Sequence, residues 1–197
     1  MAATEAIKII TGATGTAHVT ANDDGEFNQG IWGDGLVVLS NGNKMAATIV
    51  DNNTVNIADG DIVFQGRHAL IAAGSSKNMS IDTGTSGKNR VDLICVQYKM
   101  VSSVESMNLV VKKGTATTGT PSAPSYTTGT IRTGSATAEY PLYKVTINGI
   151  NIASVQRMVD VVPYGVNVLK KQINYGTSLP SSTTGYNDGD IFLVYEA

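Results

Sequence analysis

The sequence predicts a mainly β protein, an antiparallel β-sandwich or barrel-like domain with a short C-terminal helical stem and a terminal strand. Three observations carry this. Between Val91 and Met100 apolar residues occur on both faces of a strand, with Val91, Leu93 and Cys95 on one side and Ile94, Val96 and Tyr98 on the other. A strand of that kind needs cover on both faces, from a second sheet, a closed barrel or another subunit. Dipeptides that favour positive φ recur at Asp24-Gly25, Asp34-Gly35, Asn41-Gly42, Asp59-Gly60, Asn148-Gly149 and Asp188-Gly189. The composition, 22 Thr, 15 Ser, 15 Asn and 21 Gly in 197 residues, suits short strands joined by tight turns.

Between the turn signals, alternation places strands near Thr16 to Thr20, Leu36 to Ser40, Met45 to Val50, Thr54 to Ala58, Asp61 to Gln65, Ala69 to Ala72 and Met79 to Asp82. The two longest, Val91 to Met100 and Met107 to Lys113, read as antiparallel neighbours joined by the polar turn SSVES. Residues Gly114 to Glu139, rich in Thr, Ser, Gly and Pro, read as a long surface loop. PLYKVTING restores strand character and closes a domain spanning residues 1–148.

After Asn148 the apolar spacing changes. Ile152, Val155, Met158, Val159 and Val162, then Val166, Leu169 and Ile173, recur at helical intervals interrupted by Pro163 and Gly165. Residues 149–173 are therefore expected to form a short helical stem or linker, one short helix, a break, and a second short helical or extended piece. Two such short helical pieces need a partner surface, either other copies of the same segment or the domain's own sheet. Residues 174–197 form a polar loop and a strand from Ile191 to Tyr195, which cannot be stable unless it joins another sheet.

Chemistry is sparse. A net charge of −2, with the 14 Lys and Arg scattered apart from Lys112-Lys113, offers no positive patch for nucleic acid. The first residues lack a basic n-region with a long apolar core, and no apolar run approaches the roughly 18 residues of a membrane span. The chain is expected to be soluble, made in the cytoplasm without a signal peptide, and not to engage a membrane. Cys95, the sole cysteine, reads as an inert buried thiol. KIITGATGTAHVT resembles a dinucleotide loop, but His18 replaces the third glycine and HVTANDDGEFN shows no helix to follow it. Asp59-Gly60-Asp61 and Asp188-Gly189-Asp190 lack the spacing of a calcium loop, and two histidines with one cysteine make no zinc set. No cofactor or metal is expected. Asp23, Asp24, Glu26 and Asp34 cluster near Trp32, a turn-rich grouping in which solvated caps are favoured over glycoside chemistry.

Several strings in a fixed order, AHVTANDDGEFNQGIWGDG, GRHALI, GTSGKNRVDLICVQY, the Lys112-Lys113-Gly114-Thr115 ending and PLYKVTINGINIASVQRMVD, together resemble blocks of minor structural proteins of tailed-phage tails, in the baseplate, tail-tip, tail-fibre or receptor-binding group. YGTSLP followed by GDIFLVY is similar to terminal segments of phage fibre proteins. Only two residues follow that segment, so no long C-terminal receptor-binding head is expected, and an adaptor, short fibre or decoration is favoured. The resemblance implies a non-enzymatic, virion-located, homo-oligomeric attachment domain, commonly a trimer, with other phage virion proteins as partners and no catalytic set. Val155, Met158, Val159, Leu169 and Ile173 are the expected assembly contacts, with Ile191, Leu193 and Tyr195 as a strand added to a neighbour's sheet. The alternative is a module binding host surface glycans, with Trp32, Tyr126 and Tyr140 as stacking platforms.

Overall fold

A computed structural model describes residues 19–164, 173–176, 178–179 and 191–194. The chain divides into two compact units, Met1–Val161 and Val162–Ala197. Strand outweighs helix throughout, as the sequence predicts.

In the first unit, α1 (Ala21–Trp32) precedes β1 (Leu36–Leu39), β2 (Ala47–Asp51), β3 (Thr54–Phe64) and β4 (Arg67–Ser80). β3 is the axis of this sheet. β4 runs antiparallel along one of its edges, while β2 and β1 share the other edge end to end. β9 (Val161–Val162) adds to β1. The second sheet has the order β6-β5-β7-β8, all antiparallel, from β5 (Asn89–Val101), β6 (Val104–Lys112), β7 (Thr137–Asn148) and β8 (Asn151–Arg157). Val38, Val55, Ile57 and Phe64 of the first sheet and Ile94, Val96, Leu142, Val145 and Ile147 of the second belong to one buried cluster, the core of a sandwich.

The other face of β5 is covered by its own chain. Val91, Leu93 and Cys95 are buried although they lie outside the inter-sheet cluster. The segment between β6 and β7 is tied there by the Asn89–Thr117 bridge and by Thr127, whose N–H donates to a Glu139 carboxyl oxygen at 2.7 Å. A side chain at Gly114 would meet the Val91 carbonyl oxygen at 2.1 Å, so the segment starts flush against β5. Farther on, Ile131 enters the core from a 3-10 turn (Ile131–Thr133). The Gln65 side chain holds that turn by accepting from Ile131 N–H at 2.8 Å and donating to the Gly129 carbonyl at 2.8 Å. The expected surface loop is therefore a lid. Beneath it burial pushes the Cys95 thiol up to about 12, in keeping with an inert residue.

Three expectations about these elements are corrected. Residues 151–157, expected as helix, form β8: the Asn148-Gly149 turn reverses the chain so that Asn151 to Arg157 pair with Asn148 to Tyr143. Val155 and Val159 pack partly buried against the sandwich core, which is the own-sheet alternative, while Met158 is exposed. Conversely, residues 21–32, read as turns, form α1. Its N-terminus has a reciprocal capping box, Thr20 accepting from Asp23 N–H at 3.2 Å and Asp23 accepting from Thr20 N–H at 2.8 Å. Asp59-Gly60, read as a turn, lies inside the continuous strand β3.

The second unit contains β10 (Ile173–Gly176) and β11 (Ile191–Val194), paired parallel with Ile173 opposite Ile191 and Gly176 opposite Val194. Thus Ile173 lies in a strand, the extended form of the second stem piece rather than the helical one, and β11 has a neighbour within its own chain. Leu169 and Tyr195 lie outside the described residues, as do Thr16 to His18 and Asp188 to Asp190.

Candidate functional site

Arg67 begins β4 directly after the Gln65-Gly66 turn, whose residues both have positive φ (46° and 81°), as a two-residue hairpin of this hand requires. The guanidinium forks onto Glu105 of β6, with Nε 3.0 Å from Oε2 and a terminal nitrogen 2.9 Å from Oε1. The same terminal nitrogen donates to Asn22 Oδ1 of α1 at 2.6 Å, and the Tyr98 hydroxyl donates to Glu105 Oε1 at 2.9 Å. Glycines let α1 approach this closely. A Cβ on Gly25 would lie 1.7 Å from an Arg67 nitrogen, and one on Gly66 would lie 1.8 Å from the Gly25 carbonyl oxygen.

The cluster separates two open clefts. One, of about 390 Å³, is lined by Asp24, His68 and Ser106; the other, of about 650 Å³, by Ser103, Val104 and Arg132. The Arg67 hydrogen bond, joined by that from Tyr98, holds the Glu105 carboxyl below the usual range although partial burial opposes it. Burial, with the Glu105 carboxylate beside it, pushes the Tyr98 phenol up to about 12. Near neutral pH the centre is a fixed guanidinium, carboxylate and phenol. Such a set orients surfaces and bound polar groups; Tyr98 and Glu105 stand far from the range of a proton carrier at that pH. At the rim His68 Nε2 is 3.2 Å from Asp61 Oδ2, which also accepts from Asn41 at 2.8 Å.

A second polar centre lies under the lid. Burial opposes ionisation of Glu139, but the Lys112 ammonium at 2.7 Å, the Thr127 N–H and the Gln97 amide more than reverse this and lower its pKa from 4.5 to about 2. Because the folded value is depressed, the stabilisation is complete above pH 4.5 and is lost as pH falls towards 2. Glu139→Gln should lower stability at pH 7 by about 3 kcal/mol and flatten the decline between those limits. Urea titrations across that range check it, and parallel wild-type and variant curves would refute it.

The stacking candidates lie on three different elements. Trp32 ends α1 half-buried, and Tyr126 is exposed in the lid. Tyr140 packs edge-on against Phe64, centroids 6.0 Å apart, and partly against the core, half-buried as Trp32 is. The carboxylates near Trp32 act within the fold: Asp23 caps α1, Asp34 accepts from Gln29 at 2.6 Å, and Glu26 faces Arg132 at 3.6 Å. Among the described residues no group of three or more His, Cys, Asp or Glu side chains is arranged to hold a metal. None of the described helices is long and apolar enough to cross a membrane.

The Arg67 and Glu139 centres were not anticipated. Glu139, a charge inside the apolar run of β7, carried a faint signal; Arg67 and Glu105, 38 residues apart, carried none. No protein-family model matches the chain, and no curated protein sequence matches it.

Proposed function

We propose that this chain is a non-enzymatic structural component of a bacteriophage tail, baseplate or short fibre, acting in virion assembly with other virion proteins and in host attachment. The observation that carries this is where apolar side chains project. α1 turns Gly25 to the body and carries Phe27, 68% exposed, nearly opposite to it and Ile31, 55% exposed, on its flank. Val101 and Val104 stand exposed at the tip of the β5–β6 hairpin. Projecting apolar groups on a weakly charged surface suit docking rather than turnover. The ordered sequence blocks resembling tail proteins support the same reading, and the paired ionisable groups around Arg67 fit a scaffold. Peptide mass spectrometry and antibody labelling of purified particles from a producing host test it. The chain should be present at the tail end; its absence from particles would overturn the proposal.

The second reading, attachment to host surface glycans, is favoured by exposed Tyr126 together with half-buried Trp32. Saccharide array binding lost on Tyr126→Ala would support it. Binding indifferent to both aromatics would remove it.

A further inference from the structure

β4 and β6 are outer strands of their two sheets, β4 pairing only with β3 and β6 only with β5. The Arg67–Glu105 ion pair ties the two outer strands at one end. Farther along, β4 takes five steps from Ile71 to Ser76 while β3 takes two, from Gly60 to Ala58, a wide bulge that breaks the wall of the sandwich. A cavity of about 260 Å³ opens there between β4 and β6, and Ile71 and Ser76, at the two ends of the bulge, both line it.

Its floor is Met45 and Ile62 of the buried core, and Met107 and Leu109 of β6 face Ile71 across it. Apolar cavities of this order stay dry and accept apolar guests, and methionine side chains adapt to what enters. The exposed Lys77 brings the only charge in the lining, and no carboxylate among the described residues pairs with it. An apolar recess with one free ammonium at its mouth is complementary to an apolar tail with one anionic head.

We propose that this cavity binds one straight-chain carboxylate, its alkyl tail among Met45, Ile62, Met107 and Leu109 and its head on the Lys77 ammonium. Burial of the tail supplies the affinity, and the ammonium sets the sign of the head group. One cation and one cavity hold a single free chain, whereas a bilayer anchor takes a second chain or a polybasic patch. The site goes beyond the assembly role proposed above and does not depend on it.

NMR of the full chain labelled at its methionine methyls, titrated with decanoate below micelle formation, tests it. Met45 and Met107 should shift saturably, while Met79, buried outside the cavity, should stay in place. Lys77→Glu should weaken decanoate by about fivefold, the size of one partly exposed ion pair, and should improve binding of decyltrimethylammonium. Ala69→Phe, which places a ring in the cavity, should abolish binding. Should that variant fold poorly, Lys77→Glu still decides, because Lys77 is exposed and its replacement leaves the packing intact. The absence of a saturable shift, equal decanoate affinity in Lys77→Glu, or movement of all the methionine methyls together would overturn the inference. So would binding to phosphatidylglycerol vesicles without binding to decanoate.

Discussion

Replacing Asp92 with alanine should lower the melting temperature of the sandwich by about 10 °C, from a loss of about 3–5 kcal/mol. Arg90 and Asp92 are almost wholly buried and joined through two contacts, Nε to Oδ1 at 2.8 Å and a terminal nitrogen to Oδ2 at 2.9 Å. Arg90 also donates to the carbonyls of Asp82 and Thr83, and Asp92 Oδ1 accepts from Gly114 N–H at 2.8 Å. One ion pair thus fastens the approach to β5 and the start of the lid. Removing Asp92 leaves a guanidinium buried without its counter-charge, which costs far more than the pair itself contributes. Arg90→Met with Asp92→Leu should recover part of the loss, because no stranded charge remains although Gly114 and the two carbonyls lose partners. Differential scanning calorimetry of the three proteins checks this. A single variant melting within two degrees of wild type would sink the argument.

Gly66→Ala should detach α1 from the sandwich. The residue has φ +81°, which costs a side chain about 1–2 kcal/mol. The added carbon would also collide with the Gly25 carbonyl oxygen at 1.8 Å and crowd Gln29 N at 3.0 Å. Both obstacles are helix backbone, so the helix must move, and Arg67 then loses Asn22. Amide exchange over Ala21–Trp32 should rise to nearly unprotected rates while Ile94 and Val96 keep their protection. Gly30→Ala is the control: nothing lies within 4 Å of its new carbon, and it should strengthen the helix by about 0.5–1 kcal/mol. Unchanged exchange in Gly66→Ala would show that α1 is held elsewhere.

The two-faced apolar strand was legible because every residue from Val91 to Val96 except Asp92 is apolar, and both faces are buried. What covers the outer face was not, since the lid is polar and attaches through backbone groups and Glu139. The helical spacing after Asn148 misled because tertiary pairing with β7 overrode a period-3.6 pattern in a short apolar segment. α1 has two glycines and no broad apolar stripe facing the body, so its stability comes from the Thr20 cap and the Arg67 contact. The β5–β6 turn was placed too broadly. Its two residues, Ser102 and Ser103, both adopt positive φ without the Asn or Gly that usually announces it.

The lid also sets an order of events. β5 and β6 form a local hairpin that can close in microseconds, whereas Asn89 must wait for Asn148 and the whole intervening segment. On a ribosome, therefore, Leu93 and Cys95 emerge well ahead of the residues that shield them. Each nascent chain passes through an interval in which half of its central strand is wet, and its escape from aggregation depends on how soon translation delivers β7.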